Sequence, residues 1–502
     1  MDTHAPFLSL RRYRPDENAV ALLGHEVARR LCVLPLFVID DELYLAMPQP
    51  GDLDTQDFVR QMTGLNVRPV QVERADLEDA MTRHYLGKDK SAQHIGAIAS
   101  EERGVAPAAS VHLEDSDAPV IRLVNYILQQ AIALGASDVH LEPFAERSLL
   151  RYRVDGVLHE FPAPPPHMLR AVVARIKILA DMDTSERRLP QDGRAAFDAA
   201  DRAFDLRVST VPTLHGEGVV IRLLDPHGVR RSLSELGMGP GTLESLQRLL
   251  RRPHGMLVVA GPTGAGKTTT LYAALSHIFT PRRKFITLED PVEYQLDGVT
   301  QMQVNSDIGM TFAHGLRAVL RQDPDVIMVG EIRDLESAEI AVRASMTGHL
   351  LFTSLHTNDA TQAVTRLIDL GVPAFYVLSS LAGVLAQRLM RRLCTECRVP
   401  LEVTPALLSA LRLTDLPPRA VLYGARGCSA CGNLGYRGRI GIYELLEIDA
   451  DMRRLSPHEL QGGQLRALAN ARGLVSLRDS ALVQLFSGTT SLEEVLSVTT
   501  ED

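Results

Sequence analysis

Residues 261–268 read GPTGAGKT, which fits G-x-x-x-x-G-K-[ST] without a mismatch. The apolar run Met256–Ala260 precedes it, and the strong helix former KTTTLYAAL follows. In such a stretch the glycines let backbone N–H groups turn inward around phosphate oxygens, and the helix N-terminus adds its positive end. Gly261, Pro262, Thr263, Gly264, Ala265 and Gly266 are the expected cradle. Lys267 reaches the β and γ phosphates, and Thr268, with Thr269 beside it, faces Mg2+. A glycine-rich turn without a ligand is the competing reading, and the correct strand before it and helix after it leave that reading little weight. The chain is expected to bind ATP or GTP.

Hydrolysis also needs carboxylates. DVIMVGEIRD, residues 325–334, is an apolar strand running to an acidic end, but with Gly330-Glu331 where many P-loop enzymes place an aspartate. A second apolar strand ends in ITLEDPVEY, offering Glu289, Asp290 and Glu293. In a parallel α/β sheet the strand C-termini gather along one edge, where ligands bind. Glu331 is then available to the magnesium, directly or through water. Glu289 or Glu293 is left to orient and deprotonate the attacking water. Any one of these acids alone reads better as a helix cap or a solvated charge. Three of them after strands, beside an intact phosphate loop, favour chemistry.

The cysteines form a third constellation: Cys394 and Cys397 in CTEC, then Cys428 and Cys431 in CSAC. Four thiolates complete a tetrahedral site suited to Zn2+, with no position open for water, so the site is structural. Thioredoxin-type redox pairs are the alternative, but two pairs closing one loop favour zinc. Cys32 stands apart and reads as a small buried hydrophobe.

These groups must be carried by several domains, because 502 residues exceed what one core supports. Residues 1–87 form a first unit, with two strands around the turn Asp40-Asp41 and a helix opened by an Asp cap in DLDTQDFVRQMTG. Periodicity fades over 88–117, which reads as a linker. Residues 118–228 form a middle α+β domain that opens with Ile121, Val124, Ile127, Leu128 and Ile132 at helical spacing. Strands alternate with helices over 229–390, implying a parallel sheet. The paired cysteines occupy 391–440, and short helices fill 441–502. Net charge is −9 and tryptophan is absent, which argues against a protein built to hold nucleic acid. No apolar run approaches the roughly 18 residues of a membrane span. The N-terminus also lacks the apolar stretch of a secretory signal, so a cytosolic chain is expected.

GPTGAGKT, LEDPVEY, RQDPDVIMVGEIRD and TGHLLFTSLHT resemble the Walker A, Asp box, Walker B and His box of the secretion ATPases, the motors of type II secretion and type IV pilus assembly. That family's Walker B motif itself ends in Gly-Glu. The resemblance implies a RecA-like P-loop ATPase core on a parallel sheet, α+β domains before it and a small zinc-binding tetracysteine subdomain. It places Glu331 at the magnesium, makes Glu293 the general base, and gives His349 and His356 a role in sensing the γ-phosphate. Taken singly, each histidine reads better as a hydrogen-bonded core residue. ASDVHLEP, LRYRVDGVL, RLPQDGRAAF and LRVSTVPTLHGEGVVIRLL match the family's middle domain. By that match Arg194, Arg207 and Arg222 are candidates to stabilise charge on the phosphates; as strand arginines they could equally be salt-bridged.

The resemblance covers about residues 117–490, and the core wording leans to the type II secretion branch over pilus extension. It further implies a homo-hexamer with nucleotide between the two domains of a subunit and its neighbour. The N-terminal domain would dock on the cytoplasmic domain of a single-pass inner-membrane secretion protein, and the motor would drive a polytopic inner-membrane platform from the cytoplasmic face. Arg251-Arg252, Arg282-Arg283-Lys284 and Arg388 with Arg391-Arg392 are candidate contacts for acidic phospholipid, although a solvated face is the favoured reading. No clear cyclic-dinucleotide motif stands near the N-terminus, so that ligand is not expected. Two other classes remain open: a DNA-translocating ring, disfavoured by charge, and a non-hydrolysing assembly scaffold, disfavoured by the complete acidic set.

Overall fold

The computed structural model describes residues 15–39, 42–81, 119–199, 202–224, 231–404, 421–461 and 463–499, with Leu10, His84, Leu407, Leu411 and Pro417. The Asp40-Asp41 turn and the 88–117 linker lie outside the described residues. The chain divides into two compact units. The first holds residues 1–224 together with 394–398 and 425–435; the second holds 225–393, 399–424 and 436–502.

In the first unit, β1 (Leu34–Ile39) pairs antiparallel with β2 (Glu42–Met47), which pairs parallel with β3 (Asn66–Gln71). The Leu53–Thr63 helix is opened by Asp52, whose carboxylate accepts from the Thr55 N–H at 3.2 Å. That bond satisfies one of the orphan donors of the first turn. Cys32 is half-buried and caps the His25–Leu31 helix in a left-handed conformation.

Also in this unit is an antiparallel sheet of six strands: β4 (Ala136–Pro143), β5 (Ser148–Val154), β6 (Val157–Phe161), β7 (Gln191–Ala199), β8 (Arg202–Thr213) and β9 (Gly216–Leu224). Its spatial order is β6-β5-β4-β9-β8-β7. The strict alternation of buried and less buried residues along β5 is the signature of a sheet with one covered face. The helices Pro119–Ala133 and Pro166–Leu179 supply the cover. Val124, Ile127 and Leu128 go into that core, while Ile121 and Ile132 are half-buried.

The second unit is built on one seven-stranded sheet. Its strands are β10 (Gly255–Ala260), β11 (Phe285–Glu289), β12 (Thr300–Gln303), β13 (Val326–Val329), β14 (Leu350–Leu355), β15 (Leu381–Leu393) and β18 (Tyr436–Glu447). The two-residue strands β16 (Val399–Pro400) and β17 (Tyr423–Gly424) pair separately. The order is β12-β11-β13-β14-β10-β15-β18, parallel throughout except for β18, which runs against β15. Every residue of β10, β11, β13 and β14 is buried, as expected of parallel strands covered on both faces. Among the described residues no helix is long and apolar enough to cross a membrane.

Candidate active site

The phosphate loop leaves β10 and enters the Lys267–Ile278 helix through Gly266, which has φ +84°. A Cβ there would stand 2.8 Å from Gln387 Nε2, so glycine is needed for both conformation and space. Gln387, on β15 and only 2% exposed, braces the loop from behind. Its Nε2 donates to Ala265 O at 2.6 Å, and its Oε1 accepts from Thr270 Oγ1 at 2.6 Å. Thr263 and Gly264 are exposed at the crest of the loop, whereas Pro262, Thr268 and Thr269 are half-buried. Lys267 Nζ donates to the carbonyls of Gly261 at 2.9 Å and Pro262 at 3.0 Å. Burial lowers the lysine's pKa, and the charge of Glu331 acts against that shift.

Between β11 and β14, β13 ends at Val329 and is followed by Gly330 and Glu331. The Gly330 N–H donates to Leu288 O at 2.8 Å, and a Cβ on Gly330 would meet that same carbonyl at 3.4 Å. Ser354 Oγ holds the Gly330 carbonyl at 2.7 Å. With its backbone pinned on both sides, the chain presents Glu331 at the ligand-binding edge of the sheet. The Glu331 carboxylate, 16% exposed, is bonded by Arg333 and lies 3.2 Å from His356 Nε2. Burial pushes its pKa up, but the Arg333 hydrogen bond and charge, with His356, outweigh this and hold it below the usual carboxylate value.

Glu289 ends β11, one strand away, and has a different fate. It is 3% exposed. One oxygen receives Thr287 Oγ1 at 2.5 Å and Gln301 Nε2 at 3.1 Å; the other is bonded by the Tyr272 hydroxyl. Three hydrogen bonds from within the protein thus converge on this buried carboxylate. Tyr272 also accepts the Glu293 N–H at 3.4 Å, which ties the half-buried Glu293 and its loop to the helix that follows the phosphate loop.

The two histidines separate. His356 follows β14 at the ligand-binding edge. His349 precedes the same strand, with Nδ1 2.9 Å from Ala344 O, and is not brought to that edge. A six-residue strand spans about 20 Å, so seven positions in sequence become opposite ends of the sheet.

In the first unit, strand register aligns Arg194 with Arg207, Arg207 with Arg222, and Arg222 with Asp138. Directly paired residues share a face, so three guanidinium groups form a row across β7, β8 and β9. At one end of the row, Arg222 Nε lies 3.0 Å from Asp138 Oδ1, with Arg153 Nε 3.8 Å from the other oxygen.

Cys394, Cys397, Cys428 and Cys431 come together with all sulfurs within 4.8 Å of one another. The Cys394–Cys428 and Cys397–Cys431 separations are 3.9 Å, and Cys428–Cys431 is 3.8 Å. Four sulfurs at the Zn–S bond length in a tetrahedron would stand about 3.8 Å apart, so the residues fit the ion. The N–H groups of Gly427 and Gly435 point at Cys397 Sγ (3.3 Å) and Cys431 Sγ (3.2 Å), a donor pattern that suits thiolates. Leu434 packs onto the apolar core under the six-stranded sheet, anchoring the knuckle within the first unit.

Residues 113–497 match the family model described as type II/IV secretion system protein, and residues 4–91 match the MshEN domain. The chain belongs to the type II/IV secretion system protein family. It is 50% identical over 430 residues to the type II secretion system protein HxcR of Pseudomonas aeruginosa, covering 84% of this chain and 88% of that one. The type IV pilus assembly ATPase PilB of Myxococcus xanthus is 39% identical over 507 residues, 99% of this chain and 89% of that one. Among solved structures, the pilus retraction motor PilT with bound ADP superposes with a TM-score of 0.51 at 26% identity, over 75% of this chain and 96% of that one. The parallel-sheet ATPase fold and the tetracysteine cluster agree with the sequence expectation.

Tyr272, Gln301, Arg333 and Gln387 were not singled out by sequence. Gln387 carried a usable signal, an uncharged amide inside the apolar run LAGVLAQRL. Tyr272 and Gln301 carried none, because their role depends on which strand end faces them.

Proposed function

We propose that this protein is the ATP-hydrolysing motor of a type II secretion system, a cytoplasmic enzyme acting at the inner membrane. The observation that carries this is the convergence of the Lys267 loop, Glu331 and His356 on one sheet edge, in a chain of a family whose members are named as secretion ATPases. The Gly261–Gly266 backbone and Lys267 hold the phosphates, and Thr268 with Glu331 holds Mg2+. The bound Mg2+ neutralises charge that develops on the transferred phosphoryl group. Glu293 orients the attacking water and takes its proton, since Glu289 is committed to Tyr272, Thr287 and Gln301. His356 reports the γ-phosphate through Glu331. The family resemblance makes Arg194, Arg207 and Arg222 the source of positive charge for the phosphates in a hexamer.

Glu293→Gln is the direct test. Binding of Mg-ATP is expected to persist while kcat falls by about 10²–10⁴-fold, the range for loss of a general base. Preserved turnover would move the base elsewhere. ATPase activity unchanged by single- or double-stranded DNA is expected of a protein motor and would set aside the DNA-translocating alternative.

The partners follow the same reading: a single-pass secretion protein at the N-terminal domain, a polytopic platform protein and acidic phospholipid. Of the arginines considered for lipid, Arg388 contacts Asn358, and Arg391 is bonded to Glu494 at 2.7 Å and stacked on Tyr436. Pilus extension is the second reading, favoured by the alignment with PilB over 99% of the chain. Capture from membranes with the full-length protein separates the two: a secretion protein with a cytoplasmic domain supports the first, and pilus platform proteins support the second. Zn2+ is the proposed occupant of the four cysteines, and metal analysis of the purified chain is expected to return one zinc per protomer.

A further inference from the structure

The loop His356–Asp359 connects β14 to the Ala360–Asp369 helix and carries the histidine that meets Glu331. Within the loop Thr357 Oγ1 donates to Asp359 O at 3.3 Å, and the Asn358 N–H donates to Gln362 Oε1 at 3.3 Å. The helix side is ordered locally, because Asp359 caps it by accepting from the Gln362 N–H at 2.8 Å and Thr361 Oγ1 at 2.7 Å. Two further holds come from the antiparallel strands β15 and β18. Arg388 Nη2 donates to Asn358 Oδ1 at 3.0 Å and approaches its carbonyl at 3.4 Å. Glu444 Oε1 accepts the Ala360 N–H at 3.0 Å, although Glu444 is fully buried. That same oxygen is bonded by Arg466 Nη1 at 2.7 Å, from the Gln464–Ala471 helix.

Register puts the two holding residues on one side of the sheet: Arg388 pairs with Ile442, and Glu444 with Ala386. They are diagonal neighbours, within reach for long side chains. Among the described residues, each also keeps a buried polar atom without a partner, Nε on Arg388 and Oε2 on Glu444. A buried donor or acceptor left over is costly for a purely structural contact. They make sense in an element kept ready to shift its bonds.

We propose that Arg388 and Glu444 are positioning residues for hydrolysis: a two-point clamp from β15 and β18 that sets the His356–Asp359 loop, and through it the contact of His356 with Glu331. The clamp extends to the C-terminal helices through Arg466, so displacement of those helices is transmitted to the catalytic edge. Gln387 and Arg388, successive on β15, point to opposite faces, one towards the phosphate loop and the other towards the His356 loop. This inference rests on the ATPase reading and on the role given there to His356.

The test is a double-mutant cycle on the full-length chain, with steady-state ATPase kinetics and thermal unfolding recorded for each variant. Arg388→Gln is expected to lower kcat about tenfold with KM for ATP changed less than about threefold, since the clamp acts on the His356 loop and not on the phosphate loop. In a His356→Ala background the same substitution is expected to have no further effect, because its action passes through that side chain. Arg388→Lys, which keeps one donor for Asn358, is expected to recover part of the rate. Asn358→Ala probes the clamp from the loop side and serves if Arg388→Gln does not fold. Fully additive effects of Arg388 and His356, or a rise in KM that accounts for the whole loss, would overturn the proposal. If His356→Ala alone left turnover intact, the role given to His356 would fall first. If His356→Ala impaired turnover while Arg388→Gln and Asn358→Ala did not, only the clamp would fall.

Discussion

The ends of β11 and β13 occupy equivalent places among the parallel strands of one sheet, and each offers a glutamate, yet the two carboxylates have opposite surroundings. Glu289 is drawn inward and bonded by Tyr272, Thr287 and Gln301. Glu331 is held outward, against Arg333 and His356. Topology places both at one edge of the sheet, and their neighbours differ. A tyrosine one turn along the helix after the phosphate loop holds Glu289 inward. A glycine pinned between Leu288 and Ser354 presents Glu331 at the edge.

The comparison can be broken most forcefully at Glu331. Glu331→Gln is expected to lower kcat by two orders of magnitude or more, and to raise the Mg2+ requirement by about 10- to 100-fold. A magnesium titration of the ATPase rate checks both, and an unchanged Mg2+ requirement would return the metal to another residue.

Tyr272→Phe should show its effect first in stability. It strips one donor from a buried carboxylate, which costs about 1–3 kcal/mol in urea unfolding, with a smaller loss of kcat as Glu293 loses its anchor. A variant as stable as the parent would mean that Glu289 is not held as described.

The pH dependence sharpens the contrast further. Glu331 has a depressed pKa in the folded chain, so the stability it contributes is present above its ordinary value of 4.5 and is lost as pH falls through the lower folded value. Acid unfolding of Glu331→Gln should therefore be less steep across that window than that of the parent.

The smallest expected effect belongs to Lys267. Its pKa lies below the ordinary 10.5 because it is buried, and phosphates in the loop would raise it again. Nucleotide binding just below pH 10.5 should then take up a fraction of a proton, visible as a dependence of binding enthalpy on the ionisation heat of the buffer.

Much of this was legible in the sequence, because glycine, lysine and cysteine at fixed spacings leave few physical alternatives. The phosphate loop and the four clustered cysteines were of this kind, as were the alternating strands and helices that gave the parallel sheet. What could not be read was the discrimination among residues of one type. Glu289 and Glu331 both follow buried strands, and only the three-dimensional meeting with Tyr272 separates them. His349 and His356 share one short motif, and only the length of the intervening strand shows that they reach opposite edges. The like-charged row of Arg194, Arg207 and Arg222 depends on pairing register, which a single sequence does not display.

One consequence concerns where the chain can tolerate insertions and deletions. Along β15 the side chains alternate between faces, with Gln387 committed to one and Arg388 to the next. A single residue gained or lost upstream of Gln387 within the strand would hand the guanidinium to the phosphate loop and the amide to the His356 loop, reversing both at once. Pairing is irregular between Leu381 and Gly383 against β10, before this pair, and between Arg391 and Leu393 against β18, after it. The regular stretch from Gly383 to Arg388 is thus a segment whose length is as constrained as its composition, and a library that varied strand length there should return no active members.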